Sequence, residues 1–359
     1  MRDCTQYIHA RRPLYHTAEA IRRGHITIGF IGGSITEPVA DGRRWSGKII
    51  DWFVAEFPGL IVDEENAAKG ATGSLNAILR VEDDILAYGC DLVFVETAVN
   101  DGERAWGACR EGILRKLMKD DVCDVVLTYT YSQAMYETML AGNLPQTILD
   151  WEELAEHYQL SSVHMARYTF DLVMDGFLRW DEWLPDTLHP DHAGSRLYAE
   201  PVCRLIRREI DTAQPVSIPL PAPLHADNWE NVHILPFEQV ERIGAWRQIH
   251  ERRLPSVHHM LCTSSMTASL RFEFEGTGLL LHLLSGGLFS AYKIRIDGGE
   301  WIVKNDPLPE WGMNATDWLR EDMPVCGLPA GRHTAVIAPL FAVGGRATRF
   351  QLGMIGVIC

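Results

Sequence analysis

Between residues 26 and about 210, short apolar runs alternate with segments whose apolar residues recur every three to four positions. Ile26 to Ile31 is rich in β-branched residues and reads as a strand, whereas Trp45 to Phe57 carries helical spacing. Leu60-Ile61-Val62 is a short strand candidate, and Leu75, Ile78, Leu79, Ile85 and Leu86 mark an amphipathic helix. Leu92 to Val95 is the next strand, Ile113, Leu114, Leu117 and Met118 line another helix, and Val122 to Tyr131 forms a further strand. Such alternation predicts βαβ units and a parallel sheet with helices on both faces. In sheets of this kind the chemistry lies at the carboxyl ends of the strands.

The texture changes near residue 212. Pro215, Pro219, Pro221 and Pro223 read as a stiff, extended linker. Beyond it the period is two: Leu270, Phe272 and Phe274 alternate with Arg271, Glu273 and Glu275, and Tyr292, Ile294 and Ile296 alternate with Lys293, Arg295 and Asp297. Asp297-Gly298-Gly299 then signals a turn into Trp301-Ile302-Val303. Half-buried antiparallel strands of this kind predict an all-β sandwich or jelly roll. The resulting division is a first domain over 1–212, a linker over 213–226 and a β domain over 227–359. Asn305 to Gly327 has no clear period and carries Trp311 and Trp318, so it reads either as a functional loop or as a plug at the end of the sandwich.

Composition narrows the partners. The formal net charge of −15 argues against nucleic acid, because phosphate binding rests on clustered Lys and Arg, and favours a neutral substrate. No run of about 18 apolar residues suggests a membrane span, and no apolar h-region follows the N-terminus. The eight cysteines are scattered with no C-x-x-C pair, which fits reduced thiols and a cytoplasmic location better than disulfides or zinc. No metal or other cofactor is expected, although a calcium site in the β domain would leave no local signature. A monomer and a homo-oligomer are equally compatible with the sequence.

Ser34 follows the Ile26–Ile31 strand directly, and Gly32 and Gly33 let the backbone turn there and leave the strand end uncrowded. A hydroxyl needs a base oriented by a third group before it becomes a useful nucleophile. Asp186-Thr187-Leu188-His189 supplies both: in a tight turn Asp186 can accept from His189 Nδ1–H and leave Nε2 free to take a proton. Pro190 suits the first position of the helix that Leu197, Val202, Leu205 and Ile206 continue, and Pro201 implies a kink in it. His192 has no Asp three residues before it. Candidate donors for a tetrahedral oxyanion are the Ser34 N–H, Gly70 in the loop after Leu60–Val62, and Asn100 after Leu92–Val95.

Gly32-Gly33-Ser34-Ile35-Thr36, Asn66-Ala67-Ala68-Lys69-Gly70, Val99-Asn100-Asp101 and Asp186-x-x-His189, in that order, resemble the SGNH (GDSL-type) hydrolase superfamily over roughly residues 20–210. The resemblance implies a three-layer α/β/α sandwich with Ser34 as nucleophile, His189 as base and Asp186 as its orienter. It also implies an oxyanion hole built from Ser34, Gly70 and Asn100. Two positions depart from the usual pattern: Gly33 stands for Asp, and Thr97 or Ala98 for Gly.

Gly42-Arg43-Arg44-Trp45-Ser46-Gly47-Lys48 has phosphate-loop spacing, but Ile49 replaces the needed hydroxyl and the segment starts about ten residues after the strand. It reads instead as an active-site loop, with Trp45 near the substrate or in the core. His258-His259, as strand neighbours, point to opposite faces and do not share a metal. The β domain, including Leu328 to Val336, resembles carbohydrate-binding jelly-roll modules. The pair of domains resembles bacterial carbohydrate acetyl esterases, including those acting on mannan oligosaccharides. That implies an acetylated plant-type oligosaccharide, mannan or xylan, as substrate. Trp311, Trp318, Trp45 and Trp106 are candidate sugar-stacking residues, with Trp180 and Trp183 also flanking the motifs. Competing readings are a short-chain lipid or general acyl esterase with the same triad, and an inactive sugar-binding protein.

Overall fold

The computed structural model describes residues 3–102, 104, 106–211, 213–214, 219–251, 257–286, 289–305, 318–341 and 348–359. Contacts divide the chain into two compact units, Met1–Glu230 and Asn231–Cys359.

The first unit is built on a sheet of β1 (Ile8–His9), β2 (His25–Gly32), β3 (Ile61–Asn66), β4 (Leu92–Glu96), β5 (Asp124–Thr128) and β6 (Ser161–Val163), in the order β1-β6-β5-β4-β2-β3. β2 to β6 run parallel, and β1 adds an antiparallel edge on β6. After β2 the chain goes to one side (β3) and then crosses to the other (β4), so the carboxyl end of β2 is the topological switch point where α/β sheets bind ligands.

β2 and β4 are buried along nearly their whole length, which explains their continuous apolar runs. β3 extends to Asn66, past the apolar Leu60-Ile61-Val62, because its backbone pairs with β2 from His25↔Ile61 to Phe30↔Asn66. Asp63, Glu64 and Glu65 are tolerated because β3 is an edge strand, where charge also discourages further pairing. β5 is shorter than the apolar run Val122 to Tyr131, and the two-residue β1 and three-residue β6 carry no periodic signal.

Trp45 opens the helix Trp45–Glu56, is fully buried, and packs edge-on against Phe30 and Phe94 with ring centroids 5.5 and 5.6 Å away. Trp45 is therefore a core residue and not a sugar-stacking one. The helix His192–Ile210 runs through Pro201. It is capped by Asp191, whose side chain accepts from the N–H groups of Ala193 and Gly194, so it opens two residues after Pro190.

Much of the proline-rich segment is tied to the first unit. Pro221 O accepts from Arg115 Nη1 at 2.8 Å, Ala222 O is 2.8 Å from His157 Nε2, and the Leu224 and His225 N–H groups donate to the Glu111 carboxylate at 2.6 and 2.7 Å. Trp229 N donates to Ala108 O, which carries the strap to the division after Glu230.

The second unit consists of two antiparallel sheets. In Ser269–Gly276 the residues Leu270, Phe272 and Phe274 point inward while Arg271, Glu273 and Glu275 face out, as the alternation predicts. Asp297 and Gly298 take positive φ (53° and 72°) in the turn that follows Ala291–Ile296. Within the aperiodic stretch Asn305 to Gly327, Trp318–Val325 is a strand. Its burial alternation breaks at Arg320 and Glu321, and the inward-facing Asp322 is charged, so no period-two apolar signal marks it. Trp318 opens this strand, and Trp311 lies outside the described residues.

Candidate active site

Ser34 sits in the turn directly after β2, half-buried. Two glycines make that turn sterically feasible: a Cβ on Gly32 would lie 2.5 Å from Glu96 O, and one on Gly33 would lie 2.7 Å from Asn100 Oδ1. The second contact gives a physical reason for a glycine at position 33, since the Asn100 side chain fills the space a Cβ would take.

Ser34 Oγ lies 2.7 Å from His189 Nε2, and His189 Nδ1 lies 2.8 Å from Asp186 Oδ2. Asp186 Oδ1 also accepts from the backbone N–H groups of Leu188 (3.0 Å) and His189 (2.6 Å), so the carboxylate both folds the turn and orients the ring. Thr187 takes a positive φ of 71° to make this possible. Partial burial pushes the Asp186 carboxyl up, but the His189 N–H, the imidazole and the Leu188 N–H together outweigh it and hold the group below the usual carboxylate range. The short helix Trp180–Trp183 precedes the turn. Trp183 is fully buried, stacked on Trp180 at 5.4 Å and edge-on to Tyr198, which leaves it no sugar-facing surface.

The three candidate oxyanion donors gather at the same strand ends. Lys69 N donates to Gly32 O, which carries the chain after β3 alongside the nucleophile turn, and a Cβ on Gly70 would lie 3.6 Å from Ser34 Cβ. Asn100, in the one-turn helix Ala98–Asp101 after β4, lies against Gly33. Among the described residues, neither the Ser34 N–H nor the Asn100 side-chain amide has a protein hydrogen-bond partner, so both are available to a ligand. Gly70 differs: its N–H donates to Glu37 Oε2 at 2.9 Å, and Lys69 Nζ pairs with Glu37 Oε1.

Glu37, Lys69 and Arg44 were not singled out by sequence reasoning. Burial lowers the Arg44 guanidinium from its usual range, against the attraction of Asp186 and Glu37, which places Arg44 beside the site. Asn66 is another such residue: its amide donates to Thr36 O at 3.1 Å and Ser46 Oγ at 3.2 Å, so the Asn of Asn-Ala-Ala-x-Gly pins the nucleophile turn. Trp106 is half-buried at the start of the helix Gly107–Met118.

Among the described residues one His/carboxylate group has metal-ligand spacing, His9, Glu152 and His164, on β1, the helix Gln146–His157 and the end of β6. Glu152 is already met by Arg11 Nη2 at 2.7 Å, His9 Nδ1 at 2.9 Å and the Tyr129 hydroxyl at 2.7 Å. The arginine supplies the charge a cation would, so the group reads as a structural ion-pair network. None of the eight cysteines is in a disulfide, and no helix of the described residues is long and apolar enough to cross a membrane.

Solved structures share this two-domain fold. A two-domain esterase active on acetylated mannans superposes with a TM-score of 0.86 at 22% identity, over 99% of this chain and 98% of that one. The same type of enzyme co-crystallised with mannopentaose gives 0.84 at 22% identity, over 99% and 97% of the two chains. The chain has the fold of a two-domain esterase. An acetylxylan esterase from Geobacillus stearothermophilus matches 50% of the chain at 20% identity with a TM-score of 0.40. No family model and no curated protein matches the sequence.

Proposed function

We propose that the protein is a serine esterase that removes acetyl groups from plant-type oligosaccharides, mannan or xylan fragments, through an acyl-serine intermediate. The continuous relay Ser34 Oγ–His189 Nε2 at 2.7 Å and His189 Nδ1–Asp186 Oδ2 at 2.8 Å carries this reading. It has the nucleophile–base–orienter order that acyl transfer requires.

Ser34 Oγ attacks the acetyl carbonyl while His189 Nε2 takes its proton. The tetrahedral oxygen gains charge and is held by the Ser34 N–H, the Asn100 amide and the Gly70 N–H, the last after Glu37 releases it. The sugar alcohol departs with the proton from His189. Water, activated by the same imidazole, then frees acetate and restores Ser34. The sugar specificity rests on the likeness to esterases active on acetylated mannans, and Trp106, Trp311 and Trp318 remain the proposed stacking surfaces. Eight cysteines without a disulfide support action in a reducing cytoplasm on imported fragments.

Acetate release from acetylated mannan and xylan oligosaccharides is the direct test. Release by the wild type and none by Ser34→Ala is expected. Hydrolysis that instead strengthens as the acyl chain lengthens would move the assignment to a general acyl esterase, because longer chains need an apolar acyl pocket.

A further inference from the structure

Glu96, the last residue of β4, is 1% exposed and lies level with Gly32 in the strand register, beneath the nucleophile turn. Among the described residues it has no ion-pair partner. A buried carboxylate without a cation is destabilising unless hydrogen bonds offset its desolvation, so an apolar residue would serve packing better. The hydrogen bonds here are specific. Glu96 Oε2 accepts from Thr36 Oγ1 at 2.8 Å, Glu96 Oε1 accepts from Thr130 Oγ1 at 2.7 Å, and the Gly33 N–H adds a looser contribution. Thr36 Oγ1 in turn accepts from Trp45 Nε1 at 3.0 Å. The residues immediately before and two after Ser34 therefore hang on one carboxylate.

We propose that Glu96 is a positioning residue for the reaction at Ser34: its charged carboxylate holds Gly33 and Thr36 so that the Ser34 hydroxyl meets His189. The inference rests on Ser34 being the nucleophile. A carboxylate accepts on both oxygens, whereas its protonated form turns one oxygen into a donor and breaks that pattern. The charged and titratable groups facing Glu96 work against its charge: Asp101, from the turn after β4, and the Tyr198 phenol, from the helix His192–Ile210. Burial pushes its carboxyl up to about 7, against the opposing pull of Thr130, Thr36 and Gly33. The turn thus tightens as the pH rises through neutrality.

The test is the pH profile of kcat/KM for p-nitrophenyl acetate in wild type, Glu96→Gln, Thr130→Val and Ser34→Ala. The wild-type acid limb is expected to carry one proton more than the Glu96→Gln limb. Glu96→Gln should also lower kcat by about tenfold to a hundredfold, the cost of a misplaced nucleophile, with KM within about twofold. Thr130→Val keeps the carboxylate but removes a donor, so its acid limb should move to higher pH; it also serves if Glu96→Gln fails to fold. A wild-type limb that carries no more protons than the Glu96→Gln limb, or a Thr130→Val limb that does not move, overturns the proposal. Loss of activity in Ser34→Ala alongside either result leaves the esterase reading standing and removes only Glu96's role. Retained activity in Ser34→Ala overturns both.

Discussion

The two halves of the proposed catalytic centre are in different states of readiness. The proton relay is fully assembled: Asp186, His189 and Ser34 are already at hydrogen-bonding distance, and the Asp186 carboxylate is committed to two backbone N–H groups besides the imidazole. The oxyanion side is not. The Ser34 and Asn100 donors are open, but the Gly70 N–H is held by the Glu37 carboxylate, itself paired with Lys69. The difference follows from when each half is needed. A relay must be preformed to take a proton as attack begins, whereas oxyanion donors accelerate only by binding charge that appears in the transition state. A resident carboxylate there competes with substrate and costs rate, unless Lys69 draws it away when the acyl group arrives.

Substitutions separate the halves. Ser34→Ala removes the nucleophile itself and should lower kcat/KM for acetyl esters by about 10⁴-fold or more, measured by acetate release. Asp186→Asn should cost about 10³-fold, somewhat below the largest known effect of this kind because the carboxylate is 57% exposed and water can partly replace it. Asn100→Ala should lower kcat by about 10²–10³-fold with KM little changed, the signature of a lost oxyanion donor. An unchanged kcat would remove Asn100 from the hole.

Glu37→Ala has the opposite expected sign. Freeing the Gly70 N–H should raise kcat/KM on p-nitrophenyl acetate by a few-fold and strengthen inhibition by product acetate. A fall in activity would instead make Glu37 a support of the Gly70 loop. The smallest effect concerns stability beneath both halves. The folded-state pKa of Glu96 is raised from 4.5 to about 7, so its contribution to folding is most favourable below pH 4.5 and is lost as pH rises through 7. Glu96→Gln should therefore raise the thermal midpoint at pH 8, with the gain shrinking as the pH falls through neutrality, checked by melting at several pH values. Stability and nucleophile placement would then pull against each other at a single residue.

Both domains and the order of the site motifs were legible along the chain. Ile26–Ile31 and Leu92–Val95 could be recognised because strands buried on both faces read as unbroken apolar runs. Leu270, Phe272 and Phe274 could be recognised because a half-buried strand alternates. Asp186 and His189 could be paired because a three-residue spacing is closed by one turn. β3 beyond Val62 and the strand Trp318–Val325 were not legible, since the first is held by backbone pairing despite its charges and the second carries three consecutive charged residues, Arg320 to Asp322, with Asp322 buried.

By itself, the sequence determined what is local: residue types at strand ends, the period of each segment, and the Asp186–His189 turn. Tertiary structure alone decided what depends on distant chain segments meeting. It buried Trp45 against Phe30 and Phe94, set Glu37 on the Gly70 N–H, and hung the Ser34 turn on Glu96. The reason is physical. Burial and charge–dipole contacts act through space across a sheet, over 33 residues for Glu37 and Gly70 and 60 for Thr36 and Glu96, and leave no periodic trace along the chain.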